Sequence, residues 1–191
     1  MIRAREAVEA LEHSRRLFAD LVAKDRNNTT RAYALVLVSN ETASAILDRG
    51  NVERASQILL EYNKSMRTLV ESDPENVRWW CELGTSHRKI GDVFRSKGNF
   101  DAALNAYRTS LTISDRLVNG APENTKWLRD QALRHGYIAT VAAEQGNRDA
   151  ALISFEQGRA IFAKLNASSL DDPRLPKDLA WFDSQIAGLS K

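Results

Sequence analysis

A glycine-asparagine pair recurs in this chain at a constant interval of 48 residues, as Gly50-Asn51, Gly98-Asn99 and Gly146-Asn147. An alanine follows four residues after each asparagine, and a leucine, tyrosine or phenylalanine follows four residues after that alanine. Glycine readily adopts the left-handed backbone conformation that ends a helix, and residues four apart share one helix face. The pairs therefore predict tight turns that each open a second helix, in an array of similar helical hairpins.

The array predicts a single all-α domain over residues 1–191, organised as a solenoid. The segment Asp73-Pro74-Glu75-Asn76 precedes the first helix of one repeat and returns 48 residues later as Ala121-Pro122-Glu123-Asn124. We expect Asp73 to cap this helix and Pro74 to occupy its first position. The predicted units are a half repeat at 1–25, full repeats at 26–73, 74–121 and 122–169, and a C-terminal capping helix at 170–191.

Composition argues against several classes of partner. Lysine and arginine total 27 against 25 acidic residues, and a net charge of +2 is too small to favour nucleic acid. The sequence has no run of about 18 apolar residues that would favour a membrane span, and Met1 to Arg16 lack the apolar segment of a signal peptide. The single cysteine, Cys81, allows no internal disulfide. We therefore expect a cytoplasmic protein with neither nucleic-acid nor membrane partners.

No set of residues in the sequence predicts catalysis, a metal or a cofactor. His87 and His135 are 48 residues apart and so occupy equivalent positions in adjacent repeats. Because no carboxylate or cysteine is placed to complete a ligand set, structural histidines are favoured over a metal pair. Gly84, Gly91 and Gly98 lack the lysine and the serine or threonine of a phosphate-binding loop. We interpret the chain as a protein that is not an enzyme and takes no cofactor.

The recurring turns, the alanine that follows each of them and the Ile90-Gly91 pair with Phe94 resemble the tetratricopeptide repeat (TPR). The common TPR unit has about 34 residues, and the longer period here is similar to the long-repeat TPR arrays of bacterial proteins. HEAT-type repeats have a similar period and are the alternative. The resemblance implies a right-handed α-α superhelix of antiparallel helix pairs. It also implies a non-catalytic scaffold that binds a peptide or a partner helix in a concave groove.

In TPR proteins the first helices of successive repeats line the groove, and the resemblance transfers this role to eight partner-binding candidates. These are Asn40, Ser44, Arg88, Asp92, Arg95, Arg134, Tyr137 and Thr140. Arg88, Asp92 and Arg95 share one helix face. They are either a centre that recognises an acidic side chain of the partner or a local Arg88–Asp92 ion pair. The lysine and asparagine set of the carboxylate-clamp TPR proteins is not reproduced.

Two other functions are alternatives to the scaffold. The chain is then either the TPR region of a larger multidomain enzyme or signalling protein, whose catalytic domain lies outside it, or a small-ligand sensor that uses Trp79 and Trp80.

The half repeat carries an apolar stripe that would pack on one side only, comprising Val8, Leu11, Leu17 or Phe18, and Leu21. Exposed apolar stripes mark interfaces, so the stripe predicts a homodimer through the N-terminal helix. A monomer whose charged residues shield the stripe is the alternative.

Overall fold

The computed structural model describes residues 2–168, 172 and 174–190, with side chains described for 6–167, 172 and 174–190. Eight α-helices and no strand occur in this part of the chain, which confirms the predicted all-α fold class. The helices are α1 (Ile2–Lys24), α2 (Thr29–Leu47), α3 (Val52–Ser72), α4 (Val77–Ser96), α5 (Phe100–Gly120), α6 (Thr125–Glu144), α7 (Arg148–Ser168) and α8 (Leu175–Leu189).

The three glycine-asparagine turns adopt the predicted geometry. Gly50, Gly98 and Gly146 have φ angles of +79°, +72° and +77°. At the second turn the Gly98 N–H donates to the Arg95 carbonyl and the Asn99 N–H donates to the Phe94 carbonyl, each at 2.9 Å. This pair of hydrogen bonds is the Schellman motif, which satisfies the last carbonyls of α4. The Asn99 side chain then accepts the backbone N–H of Ala102 and caps α5.

The proline-containing connection differs from the expectation that Asp73 caps α4 and Pro74 begins it. The helix begins only at Val77, and Asp73 to Asn76 form a turn in which the Asn76 N–H donates to the Asp73 carbonyl at 3.2 Å. Proline suits the second position of such a turn because its φ is already fixed near the required value. The cap is Asn76, whose Oδ1 accepts the Trp79 N–H at 3.3 Å. The predicted capping role of Asp73 is therefore wrong.

The chain divides into two compact units, Met1–Val93 and Phe94–Lys191, and the division falls within α4. In the first unit α2 packs against both α1 and α3. The Tyr62 hydroxyl of α3 donates to Glu82 Oε2 of α4 at 3.0 Å, and the Asn63 amide donates to Ser86 Oγ at 2.7 Å. The core of this unit includes Val36, Ala43, Ile46, Ala55, Ile58, Leu59, Tyr62, Met66 and Leu69.

In the second unit α6 packs against α5 and α7, and α8 packs against α7. One cluster of buried side chains joins α5 to α6 and contains Ala103, Leu104, Tyr107, Ile138 and Val141. Another cluster joins α6, α7 and α8 and contains Ala132, Ala139, Ala142, Ala151, Phe155, Phe162, Leu165, Leu175 and Phe182. The repeated alanines Ala55, Ala103 and Ala151 are fully buried, so their small side chains allow neighbouring helices to approach closely.

Two glycines determine how closely α8 approaches α6 and α7. A Cβ atom on Gly158 would lie 2.4 Å from Phe182 Cε1 and 2.8 Å from the Ala132 carbonyl oxygen. A Cβ atom on Gly136 would lie 3.0 Å from both Phe182 Cζ and Trp181 Cζ3. The aromatic pair of α8 therefore packs directly against helix backbone. The repeat boundary expected at 169/170 lies outside the described residues, and the single-domain organisation stays a prediction.

Candidate functional site

Four of the eight expected partner-binding residues lie in the first unit. Asn40 and Ser44 are one turn apart on α2, and the Ser44 hydroxyl donates to the Asn40 carbonyl at 3.0 Å. Lys89 Nζ of α4 donates to Ser44 Oγ at 2.5 Å, which links the two helices. The side-chain oxygen of Asn40 is buried and has no hydrogen-bond partner among the described residues. This acceptor is therefore enclosed within the unit and is not presented at its surface.

Arg88 and Asp92 form an ion pair within one turn of α4. This local ion pair is one of the two interpretations given in the sequence analysis, the other being a centre that recognises an acidic side chain of a partner. Lys89 lies between the two in sequence, and burial and the nearby Arg88 charge lower its pKa, while Glu41 and other carboxylates oppose this shift. Two cations and one carboxylate therefore lie within about one turn of α4.

A cavity of about 400 Å³ lies in the second unit on the face formed by α6 and α8 and the end of α4. Arg95, Tyr137 and Thr140 all line it, so the structure brings three expected residues together. The remaining lining residues are Leu133, Asp178, Trp181, Phe182 and Gln185. The cavity is within the size range of about 300–1,000 Å³ that is usual for ligand sites.

Aromatic side chains give the cavity a fixed wall. Trp181 is 41% exposed, and its ring contacts Phe155 and Phe182 edge to face, with centroid distances of 5.7 and 4.8 Å. On α6, Tyr137 stacks on Tyr107 of α5 with the ring centroids 5.5 Å apart. Aromatic pairs in these geometries hold each other in place. The Trp181 ring is therefore packed against its neighbours and leaves part of its apolar surface exposed at the cavity.

Both charged residues of the cavity lining are ion-paired with neighbouring helices. Arg95 binds both carboxylate oxygens of Glu144, with Nη2–Oε1 at 2.5 Å and Nε–Oε2 at 2.9 Å. These hydrogen bonds hold the pKa of Glu144 below its ordinary value. Asp178 accepts a hydrogen bond from Arg129 Nε at 2.8 Å. The cavity thus combines an apolar wall with polar groups whose charges are balanced.

Arg134 does not lie where the sequence places it. Its side chain is buried with 6% exposure, and its Nε donates to Ser110 Oγ of α5 at 2.9 Å. The small Ser110 side chain, itself fully buried, leaves room for the guanidinium between α5 and α6. Arg134 therefore supports the packing of two helices in the second unit and does not flank the cavity.

Sequence reasoning missed the contribution of α8 and of Lys89. From the sequence, the aromatic pair Trp181-Phe182 is placed in a C-terminal capping helix and is assigned no role in binding. A tryptophan beside a phenylalanine in a terminal helix is the signal that could have indicated a binding surface. Lys89 is 45 residues from Ser44, and no local pattern in the sequence connects them.

The histidines lie apart from any metal-binding set. No group of three or more histidine, cysteine or acidic side chains that could hold a metal occurs in the described part of the chain. Burial lowers the pKa of His87, with a further contribution from the Arg67 charge. Burial also lowers the pKa of His135, and the Asp115 charge opposes that shift. Among the described residues, no helix has the length and apolar character needed to cross a membrane.

Comparison with known proteins gives a likeness in structure only. A scan against protein-family models and a search of curated proteins both give no match. Among solved structures, the chain is similar to a variant form of the nearly identical TPR-like repeats of a Podosopora anserina protein described as a kinesin light chain. The TM-score is 0.65 and the identity 16%, over 97% of this chain and 76% of the other.

Two further solved structures are similar over nearly the whole chain. The apo form of RapI gives a TM-score of 0.59 at 16% identity, covering 96% of this chain and 65% of RapI. BtubC from P. vanneervenii gives a TM-score of 0.51 at 14% identity, covering 97% of this chain and 82% of BtubC. At such low identities the likeness concerns the fold alone. The chain therefore has the TPR-like helical repeat fold, as the resemblance in its sequence predicted.

Proposed function

We propose that this chain is a non-catalytic interaction module of the cytoplasm that binds a peptide or a partner helix on the α6–α8 face of its second unit. The observation that carries the proposal is the cavity of about 400 Å³, in which Arg95, Tyr137 and Thr140 lie together beside the exposed ring of Trp181. First helices of successive repeats are the binding elements that the TPR resemblance implies, and α6 and α8 are such helices.

The lining of the cavity indicates the chemistry of the partner. Tryptophan is prominent among the residues that dominate binding energy at interfaces, particularly when its ring is held in place by neighbours. We expect one apolar or aromatic side chain of the partner to enter the cavity and pack on Trp181. Gln185 and Thr140 offer hydrogen bonds to the adjoining backbone of the partner. Since Arg95 and Asp178 are ion-paired, a strongly charged anchor is disfavoured.

The first unit offers a second set of contacts within the same proposal. Asn40, Ser44, Arg88 and Asp92 remain proposed partner-binding residues there. Asn40 is partly exposed on α2, and its uncharged amide group can hydrogen-bond to the backbone of an extended peptide. This role needs no charge on the partner.

A peptide-display selection against the full chain tests the α6–α8 site. Peptides that bind the natural chain are measured on Trp181→Ala, which removes the aromatic wall, and on Gln185→Trp, which narrows the cavity without removing that wall. We expect both variants to weaken binding by at least about tenfold, the effect typical of a central contact residue. Ile153→Ala is the control because Ile153 is 57% exposed on α7 and does not line the cavity.

The selection has two outcomes that would oppose the proposal. One is that no peptide binds above background. The other is that selected peptides bind Trp181→Ala, Gln185→Trp and the natural chain equally. A circular-dichroism melt of each variant establishes that it is folded.

We further propose that the chain forms a homodimer through α1. The exposed positions of the expected stripe are Leu17 and Leu21, with 51% and 39% exposure, while Val8, Leu11 and Phe18 are partly buried. Leu17 and Leu21 are one turn apart and form a small apolar patch on the outer side of the helix. Self-association would remove this patch from water.

Light scattering at tens of micromolar chain tests the dimer. We expect the mass of a dimer for the natural chain and of a monomer for Leu17→Glu combined with Leu21→Glu. Both leucines are exposed, so the substitutions should leave the fold intact. A monomer mass for the natural chain rules the dimer out, and a dimer that persists in the double variant moves the interface away from this patch.

A further inference from the structure

A second cavity, of about 550 Å³, lies in the first unit between α1 and α3, above α2. Two ion pairs bridge α1 and α3 beside it: Arg15 Nη1 to Glu61 Oε2 at 2.8 Å and Arg54 Nε to Glu12 Oε1 at 3.4 Å. The cavity begins at the Arg15–Glu61 bridge and extends toward the C-terminal ends of both helices. We call it the α1–α3 crevice.

The crevice has an apolar floor and walls that suit a hydrocarbon chain. Ala19 and Val22 of α1, Ala32 and Leu35 of α2, and Leu69 of α3 all line it. Its volume is within the range of small-molecule sites, about 300–1,000 Å³. A ligand that fills this space would remove apolar surface from water, which is the main source of affinity in such sites.

The charged groups of the crevice are predominantly positive. Arg15, Arg26 and Lys64 line it, and Glu61 is the one carboxylate among its lining residues. Glu61 binds Nη1 of Arg15, yet the Nε of Arg15 is buried and has no hydrogen-bond partner in the described part of the chain. Buried donors are almost always satisfied in proteins, and a cationic donor is best satisfied by an anion.

Two of the other residues that line the crevice with Arg15 carry hydroxyl groups. Ser39 of α2 is 4% exposed, and Ser65 of α3 is one turn from Glu61. Together with Lys64 they can bind the remaining oxygens of an anionic head group. Arg15, Glu61 and Lys64 lie at one end of the crevice, Arg26, Asn27 and Thr29 line its other end at the α1–α2 turn, and the apolar residues lie between the two ends.

We propose that the α1–α3 crevice binds a small amphiphilic anion, with a carboxylate or similar head on the exposed part of the Arg15 guanidinium and on Lys64, and an apolar chain along Val22, Leu35 and Leu69. The excess positive charge selects against cationic amphiphiles. Because only 15% of the Arg15 side chain is exposed, the site favours a head group of a few atoms over a segment of protein. This site is separate from the α6–α8 face and does not depend on the function proposed for that face.

The probe is decanoate, added below its micelle concentration to the ¹⁵N-labelled full chain at neutral pH. We expect saturable amide shifts that are largest within residues 15–39 and 61–72. Decyltrimethylammonium has the same chain length and the opposite charge. The concentration dependence of its shifts should give an apparent affinity at least about tenfold weaker than that of decanoate. Vesicles of phosphatidylglycerol should not bind the chain.

Arg15→Gln should weaken decanoate binding by about tenfold or more, since it removes a hydrogen bond to a charged group. Arg16→Gln is the matched control: Arg16 is the adjacent arginine, it is exposed, and it does not line the crevice. Lys64→Gln leaves the Arg15–Glu61 bridge intact and should weaken binding about threefold, so the test survives if Arg15→Gln fails to fold.

Three results would overturn the proposal. The first is no saturable shift with decanoate, or shifts centred outside the two segments. The second is equal binding of the cationic amphiphile, or decanoate binding that neither Arg15→Gln nor Lys64→Gln weakens. The third is binding to the anionic vesicles without binding to decanoate, which would mean that the chain recognises a membrane surface.

Discussion

Asparagine residues begin six of the helices, and each does so in the same way. The side-chain oxygen accepts the backbone N–H three residues ahead, which satisfies one of the helix donors that lack an internal partner. The capping residues are Asn28, Asn51, Asn76, Asn99, Asn124 and Asn147. Such a cap stabilises a helix by about 1 kcal/mol, so the six together help to set the repeat register.

Gly98 provides a test of the turn geometry at the scale of one residue. Its φ of +72° is unfavourable for a residue with a Cβ, although nothing lies within 4 Å of the position that this Cβ would take. We expect Gly98→Ala to lower the free energy of unfolding by about 1–2 kcal/mol through backbone strain alone. Gly120→Ala is the control, because its Cβ also meets nothing and its φ is not positive. Equal urea midpoints for the two variants would contradict the explanation.

The partly buried histidines predict a pH dependence of stability. The pKa values of His87 and His135 in the folded chain lie below their ordinary value of 6.5, because burial disfavours the charged ring. The unfolded chain then binds more protons, so this contribution to stability is fully present above pH 6.5 and is lost as the pH falls through the lowered values. Urea unfolding between pH 7.5 and 5 should show this decline. His87→Gln combined with His135→Gln should reduce its slope, and an unchanged slope would contradict the assignment.

At the scale of elements, the packing of α8 depends on close approach to α6 and α7. Phe182 is fully buried and contacts Phe155 and Phe162 of α7. The space for its ring exists because Gly158 and Gly136 have no side chains. The position of Trp181 at the cavity follows from the position of its neighbour Phe182, so a local packing feature determines the geometry of the proposed binding face.

Substitution of Gly158 by alanine tests this packing. The new Cβ would overlap Phe182 and the Ala132 carbonyl, and the helix must shift to accept it. We expect Gly158→Ala to lower the free energy of unfolding by about 1–3 kcal/mol, as overpacking does, and to weaken peptide binding at the α6–α8 face. Gly188→Ala in α8 meets nothing within 4 Å and should raise stability by up to about 1 kcal/mol. A melting temperature of Gly158→Ala at or above that of the natural chain would contradict this account.

The sequence predicts the elements better than it predicts the orientation of their side chains. The glycine-asparagine turns could be predicted because only a few residue types allow a positive φ followed by a cap. The first residue of α4 could not be predicted, because Asp73 and Asn76 are both good capping residues. Only the geometry of the turn between them selects Asn76 as the cap. The TPR resemblance assigns Arg134 to the groove from its position along α6, and it carries no information on the space beside Ser110.

Only some residues of the candidate site could be expected from the sequence. Arg95, Tyr137 and Thr140 were predicted from the TPR resemblance, which assigns groove positions to the first helices of the repeats. The contribution of Trp181 depends on how α8 packs against α6 and α7, and that is set by contacts between residues more than 20 positions apart in the sequence. Pairs such as Lys89–Ser44 are equally remote from any local pattern.

At the scale of the whole molecule, the fold offers two kinds of surface with different chemistry. The α6–α8 face has an aromatic wall and balanced charges, which suits a peptide anchor. The α1–α3 crevice has an apolar floor and excess positive charge, which suits a small anion. A ligand bound at one surface should therefore not change which ligands bind the other. Decanoate should not displace a peptide selected on the α6–α8 face.

Amide hydrogen exchange of the full chain, with and without the tightest display-selected peptide, tests the central claim most directly. We expect the peptide to slow exchange chiefly in α6 and α8, within residues 131–144 and 178–189, and we expect Trp181→Ala to abolish this protection at the same peptide concentration. Protection that appears only outside these segments, or that persists undiminished in Trp181→Ala, would contradict it.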